Sequence, residues 1–151
     1  MSAFKIRLAN IQDLESLSLL FDAYRQFYEH TPDVALAKNF ISDRLNNKDS
    51  IILVAQNSSQ ILTGFCQIYP SFCSIIAAKI GVLYDLFVDT SARKTGAGRA
   101  LMLAAHEYAA NNGMVRLDLT TAKDNLKAQA LYESLGWERD EVFYTYNKNL
   151  T

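Results

Sequence analysis

Residues 82–112, VLYDLFVDTSARKTGAGRALMLAAHEYAANN, constrain the fold more than any other stretch. The opening run, residues 82–88, is rich in β-branched and aromatic side chains and holds few breakers, which predicts a mostly buried strand. A helix follows, with Leu101, Ala105 and Tyr108 on its inner face and Asn112-Gly113 suited to a left-handed cap. Between the two lies Arg93-Lys94-Thr95-Gly96-Ala97-Gly98-Arg99, two glycines separated by one residue and flanked by cations. Glycine permits positive φ and lets a ligand approach the main chain closely. A helix start leaves its first four N–H donors unpaired and carries roughly +0.5 of an elementary charge, which favours phosphate. The turn therefore predicts a pyrophosphate cradle.

Three phosphate loops compete for this turn. A P-loop requires G-x-x-x-x-G-K-[ST], and no Gly-Lys-Ser or Gly-Lys-Thr stands here. The dinucleotide fingerprint requires a small residue three after Gly98, where Leu101 stands, and no first βαβ unit precedes it. The third pattern, [Arg/Gln]-x-x-Gly-x-[Gly/Ala] after a strand, is matched fully by residues 93–98. Downstream, DNLKAQALYESLGW sets Asn125 at a helix start and Tyr132 two turns later. With both motifs the chain resembles the GCN5-related N-acetyltransferase (GNAT) family over residues 4–146, specifically from Val82 onward. The alternative is a loop whose glycines serve only for turning.

The resemblance implies a mixed α/β sheet of about seven strands in the order β-αα-β-β-β-α-β-α-β-β, with helices on both faces, in one domain over residues 1–151. Periodicity agrees along the chain. Phe4 to Leu8 alternates as a half-buried strand, Asn10 suits a helix cap, and Leu14, Leu17, Phe21, Tyr24 and Tyr28 form one apolar stripe. That helix ends near His30, and Pro32 suits the first position of a second helix carrying Phe40, Ile41 and Leu45. Residues 51–55 and 61–69 predict a hairpin around Asn57-Ser58-Ser59, and 71–78 a less regular connection to a long strand over 80–88. Residues 114–120 predict a strand, 125–135 a helix capped by Gly136, and 137–146 a final hairpin.

Composition narrows the partners. With 151 residues, 50% apolar, 21% charged and a net charge of −1, the chain has an ordinary globular balance, and nothing in it argues for nucleic acid, which usually demands a basic face. No apolar run approaches the ~20 residues of a membrane span, and residues 1–10 hold no apolar signal core, so a cytoplasmic protein is expected. Cys66 and Cys73 read as packing thiols, and no cluster of metal ligands is present.

The family resemblance implies acetyl-coenzyme A as donor and an amine as acceptor, a small molecule, polyamine or lysine-type peptide. Its pyrophosphate would lie on residues 93–99, and its pantetheine arm along the main chain of Leu86, Phe87 and Val88. Asn125 would bind that arm. Tyr132 would protonate the leaving thiolate, since a phenol near pKa ~10 can hydrogen-bond to a thiol near ~8.5; the competing role is aromatic packing beside Leu131 and Leu135. An amine near pKa ~10.4 must lose a proton before attack, directly or through ordered water. Asp85 interrupts an apolar strand, and a buried carboxylate without a partner costs several kcal/mol. It is the candidate base, or an electrostatic anchor for the amine, against the alternative of a purely structural hydrogen bond. Tyr84 points to the opposite face if the strand is regular. His30 and His106 are weaker candidates.

Acceptor recognition is expected at the corner between the first two helices and at residues 69–78. Tyr24, Phe27, Tyr28, Tyr69 and Phe72 supply aromatic surface, and Glu29 and Asp85 negative charge, a mixture suited to a cation. The alternative function is a non-catalytic coenzyme A sensor or partner-binding module. Residues 142–146 offer an apolar edge through which a homodimer could pair.

Overall fold

The computed structural model describes residues 4–151, which divide into one compact unit ending at Thr120 and a second from Thr121 to Thr151. In the first unit, β1 (Phe4–Leu8), β2 (Ile51–Asn57), β3 (Leu62–Cys73), β4 (Ala78–Val88) and β5 (Leu117–Asp118) form one sheet in sequence order. The first four strands are antiparallel neighbours, whereas β5 runs parallel to β4 after the crossover helix α3 (Ala97–Asn111). Period-two alternation divides the strand residues between two layers. Ile52, Val54, Phe65 and Phe87 pack with Leu17 and Leu20 of α1 (Leu14–Phe27) and Ile41 of α2 (Val34–Asn47). Cys66 faces the other way, its Sγ 3.9 Å from the carbonyl of Leu101 in α3. The expected mixed sheet with helices on both faces is therefore present.

Local chemistry sets the helix starts. Asn10 caps the single turn Ile11–Asp13 ahead of α1: its Oδ1 accepts from the N–H of Gln12 at 3.0 Å, while Asp13 accepts from the N–H of Asn10 at 2.8 Å. Arg7 holds Asp13 with two bonds of 2.8 Å. α2 begins at Val34 rather than Pro32, because Asp33 supplies the cap, accepting from the N–H of Leu36 at 3.0 Å. The corner between the two helices turns on buried Asp22, which accepts from the backbone of Asp33 and the side chains of Arg25 and Gln26. Burial raises that carboxyl, but the three donors and the charge of Arg25 outweigh it and hold it below the ordinary carboxylate value.

Two expectations change in this unit. β3 runs through Pro70 to Cys73 and pairs with Ala78 to Gly81, so the supposed connection shrinks to a tight turn in which Ala77 donates to Ser74. The ladder with β2 ends at Ile68, which leaves the far end of β3 with a free edge, where a residue lacking an N–H is tolerated. β5 spans two residues instead of seven.

The second unit contains α4 (Leu126–Ser134) and, among the described residues, no strand. The sheet thus has five strands, not about seven, and residues 137–146 are not a hairpin. Asp140 explains part of this: its Oδ1 accepts from the N–H of Val142 at 2.8 Å and of Phe143 at 3.4 Å, a local turn that competes with ladder pairing. Val142, Phe143, Tyr144 and Tyr146 are exposed, and the segment expected to offer a strand edge is not in a strand.

Candidate active site

The site begins with an irregularity in β4. Gln67 of β3 pairs with Asp85, but the next residue, Ile68, pairs with Leu83, so Tyr84 is one residue in excess. Such a bulge bends its strand and re-aims side chains. On the other side of β4 the parallel ladder to β5 consists of Gly81 with Leu117 and Val82 with Asp118, and stops before the bulge. Leu86, Phe87 and Val88 remain paired with Cys66, Phe65 and Gly64 on β3, while their opposite edge lies outside the β5 ladder. These are the three residues expected to bind a pantetheine arm.

The bulge also overturns one expectation. Because the strand is not regular at this point, Tyr84 does not leave the neighbourhood of Asp85: its ring lies 5.7 Å from that of Tyr69, and its hydroxyl influences both Tyr24 and Tyr69.

Asp85 itself is 5% exposed. Gln67 Nε2 donates to its Oδ2 at 2.8 Å, and the Tyr24 hydroxyl from α1 also donates to it. Burial pushes the carboxyl above the ordinary value, and these two donors only partly offset that. No cation is among the groups that move it. Burial and the adjacent carboxylate push the Tyr24 phenol well above its ordinary range, and push Tyr69 up to about 12. Tyr24 is fixed by edge-on contacts with Phe65 at 5.7 Å, Phe87 at 6.0 Å and Tyr28 at 5.2 Å. Tyr24, Tyr28, Tyr69 and Asp85 are thus brought together. Phe72 is not: it lies five positions beyond Gln67 on β3, about 16 Å along the strand, and is 77% exposed.

Two residues escaped the sequence reading. Gln67 is completely buried, and Ser50 Oγ donates to its Oε1 at 2.7 Å. The available signal was the same as for Asp85, a lone polar residue inside an apolar strand.

The cradle follows the C-terminal end of β4. Gly96 adopts φ +88°, and a Cβ built there would meet nothing within 4 Å, so the space over the main chain is open. Gly96 also gives α3 no side-chain cap, and Lys94 is left-handed at φ +65°. An uncapped helix start preceded by outward-turned amides fits a pyrophosphate. The second glycine plays a different part from the one expected: Gly98 lies in the first turn of α3 and is not among the positive-φ residues. Ala97 is buried, and Thr95 donates to the carbonyl of Ala92 at 2.6 Å. Arg93 is spent internally, its Nε on the carbonyl of Val88 at 3.1 Å and its guanidinium 5.8 Å from the Phe27 and Phe87 rings. Lys94 and Arg99 flank the turn in sequence.

In the second unit Asn125 caps α4, its Oδ1 accepting from the N–H of Ala128 at 3.2 Å, so the amide nitrogen is the group it can offer a ligand. Tyr132 lies two residues from the end of α4. Gly136, at φ +88°, closes the helix with Trp137 N–H on the Tyr132 carbonyl and Gly136 N–H on that of Glu133, each 3.1 Å. That closure sets the Trp137 ring 6.2 Å from Tyr132. Among the described residues no cluster could hold a metal ion, and no helix is long and apolar enough to cross a membrane.

Known proteins bear on this arrangement. The acetyltransferase (GNAT) family model matches residues 14–137. A Bacillus subtilis protein described as the uncharacterized N-acetyltransferase YhfO is 41% identical over 145 residues, 96% of this chain and 97% of its own. A probable Haemophilus influenzae acetyltransferase is 29% identical over 72% of each chain. A crystal structure of a probable acetyltransferase superposes with a TM-score of 0.91 at 33% identity, over 97% of this chain and 98% of that one. An aminoglycoside acetyltransferase solved with sisomicin shares the fold, with a TM-score of 0.76 at 22% identity over 97% of both chains. A strand that stops pairing beside a glycine cradle, with these likenesses along nearly its whole length, makes the chain a member of the GNAT family and an acyl-coenzyme A-dependent acetyltransferase.

Proposed function

We propose that this acetyltransferase acylates a primary amine that arrives as a cation, with Asp85 as its receiving group. The observation that carries the reading is the buried Asp85 carboxylate, which has neutral donors from Gln67 and Tyr24 but, among the described residues, no cation acting on it. A protonated amine would supply the missing counter-charge, and the rings of Tyr24, Tyr28, Tyr69 and Tyr84 would add cation–π attraction. Asp85 then accepts the amine proton, directly or through one water, and the neutral amine attacks. Bound acetyl-coenzyme A supplies the acyl group as an activated thioester. The residues 93–99 turn would hold its pyrophosphate and the edge of Leu86, Phe87 and Val88 beyond the β5 ladder its pantetheine amides; Asn125 is assigned to cofactor binding on its match to the family motif. Tyr132 is assigned the acid that protonates the departing sulfur, on its match to the family motif.

Thiol release from acetyl-coenzyme A, measured against polyamines, amino acids, aminoglycosides and lysine peptides, tests this directly. One cationic class should give turnover, with Tyr132→Phe and Asp85→Asn each lowering kcat by about 10²–10⁴ while leaving acetyl-coenzyme A affinity within a few fold. Unchanged turnover in both variants, or turnover confined to uncharged acceptors, would remove these roles.

A further inference from the structure

Gln67 occupies a position that the reaction as described does not use. It is a neutral side chain with no exposure at all, placed on β3 directly opposite Asp85 and just before the register slips at Tyr84. Both ends of its amide are engaged. Nε2 donates to Asp85 Oδ2 at 2.8 Å, and Oε1 accepts from Ser50 Oγ at 2.7 Å. Ser50 precedes β2, so the line Ser50–Gln67–Asp85–Tyr24 runs from the start of one strand, across two others, to helix α1.

We propose that Gln67, with its Oε1 satisfied by Ser50, is a positioning residue for acetyl transfer: it holds Asp85 in place and in its carboxylate form, ready to receive the amine. The inference rests on the preceding reading of Asp85 as the receiving group.

The amide has two possible orientations, and they are chemically opposite. With Nε2 toward Asp85 it stabilises a carboxylate; with Oε1 toward Asp85 it faces another acceptor, unless the carboxyl carries a proton. The Ser50 hydroxyl can donate or accept, so by itself it does not choose. It does supply a donor for Oε1 in the orientation that favours the carboxylate, so that neither end of the buried amide is left unsatisfied. Tyr24, the other donor to Asp85, has the role complementary to that of Gln67.

The other charged or titratable groups around the carboxylate do not duplicate this. α1 contributes Tyr24 and Tyr28; β3 contributes Cys66 and Tyr69; β4 contributes Tyr84; and Arg44 of α2, bonded to Asp49 at 2.7 Å, acts on Tyr69. Arg44 is not among the groups that move Asp85. A neutral amide is thus used where a cation could have stood. A lysine or arginine at this position would satisfy the carboxylate permanently and compete with a cationic acceptor, whereas glutamine keeps it ionised and still in need of a counter-ion.

The experiment is a carboxyl titration of the ligand-free protein, labelled with ¹³C at aspartate Cγ, with Asp85→Asn used to identify the signal. Wild type is compared with Gln67→Leu, which removes both ends of the amide at similar volume, and with Ser50→Ala, which removes only the hydroxyl partner of Oε1. Loss of a donor to a charged acceptor should make the Asp85 carboxyl bind its proton about tenfold more tightly in Gln67→Leu, and by a smaller factor in Ser50→Ala. The acid limb of kcat/KM, followed by thiol release with acetyl-coenzyme A and spermidine as probe amine, should move to higher pH in parallel. Ser50→Thr, which keeps the hydroxyl, should restore the wild-type titration. A purely structural Gln67 would lower thermal stability without moving the Asp85 signal, and that result in folded Gln67→Leu would overturn the proposal. If Gln67→Leu does not fold, an unchanged Asp85 titration in Ser50→Ala overturns it equally. If the carboxyl signal moves as expected while no amine in any class is acetylated, the positioning by Gln67 stands and the assignment of an amine acceptor falls.

Discussion

At the scale of single residues, the turn ahead of α3 depends on one backbone conformation. Gly96 sits at φ +88° with open space where a side chain would project, so Gly96→Ala introduces strain without a clash. A left-handed conformation costs a non-glycine residue roughly 1–2 kcal/mol. The expected outcome is a loss of that order in chemical denaturation and a weaker acetyl-coenzyme A Kd by titration calorimetry, because relief of the strain turns amides away from the phosphates; an unchanged Kd would separate the turn from donor binding. This glycine was legible in the sequence, as was Asp85, since a pair of glycines after a strand and a carboxylate inside one are both local departures from pattern. Gln67 broke its own apolar run just as visibly but has no charge to attract notice. Tyr84 was illegible for another reason: which face it serves is decided by register with β3, and register is a property of two strands, not of one.

At the scale of elements, the meeting of β4 with β5 rests on Gly81. A Cβ there would lie 2.8 Å from each of Ile68 Cγ2, Leu117 Cδ2 and Met114 Sδ, closer than packed side chains allow. Gly81 N–H also donates to the Arg116 carbonyl at 3.0 Å, so displacement would cost the ladder a bond. Gly81→Ala should therefore destabilise the protein by about 1–3 kcal/mol through overpacking, read from the urea midpoint at unchanged slope. A midpoint within error of wild type would mean that β5 yields freely. Most elements were recognisable in sequence because α1, α2, β1 and α3 carry their period within themselves and β2 is an apolar run of strand length. The expected strands at residues 114–120 and 137–146 had suitable composition, but a strand exists only where a neighbour completes its ladder. The first gained two paired residues, and the second formed a local turn around Asp140 instead.

For the whole molecule, an ionised and buried Asp85 is a thermodynamic burden, one that the proposed role as receiving group for an amine would explain. Its folded carboxyl titrates above the ordinary value of 3.8, so the native state binds its proton more tightly than the unfolded chain does. Native stability from this group is then greatest at low pH and declines as pH rises from about 4 through the folded value. Asp85→Asn removes that decline. Its melting temperature should exceed that of wild type at neutral pH, with the difference shrinking toward pH 4, as scanning calorimetry at several pH values would record; a less stable variant at pH 7 would mean that the carboxylate's hydrogen bonds outweigh its burial. Overall composition, with its net charge of −1, was silent about this one charge.

The extra residue at Tyr84 has a further implication. A sheet normally consumes the hydrogen-bonding capacity of its own backbone, and a β4 in perfect register with both neighbours would have none to give. The parallel ladder ends at Val82, just before the surplus residue, and the edge of Leu86, Phe87 and Val88 lies outside it. Deleting Tyr84 would thus be a more damaging change than altering its side chain: it would remove a vacancy that no substitution elsewhere in the strand could recreate, while making the sheet itself more regular.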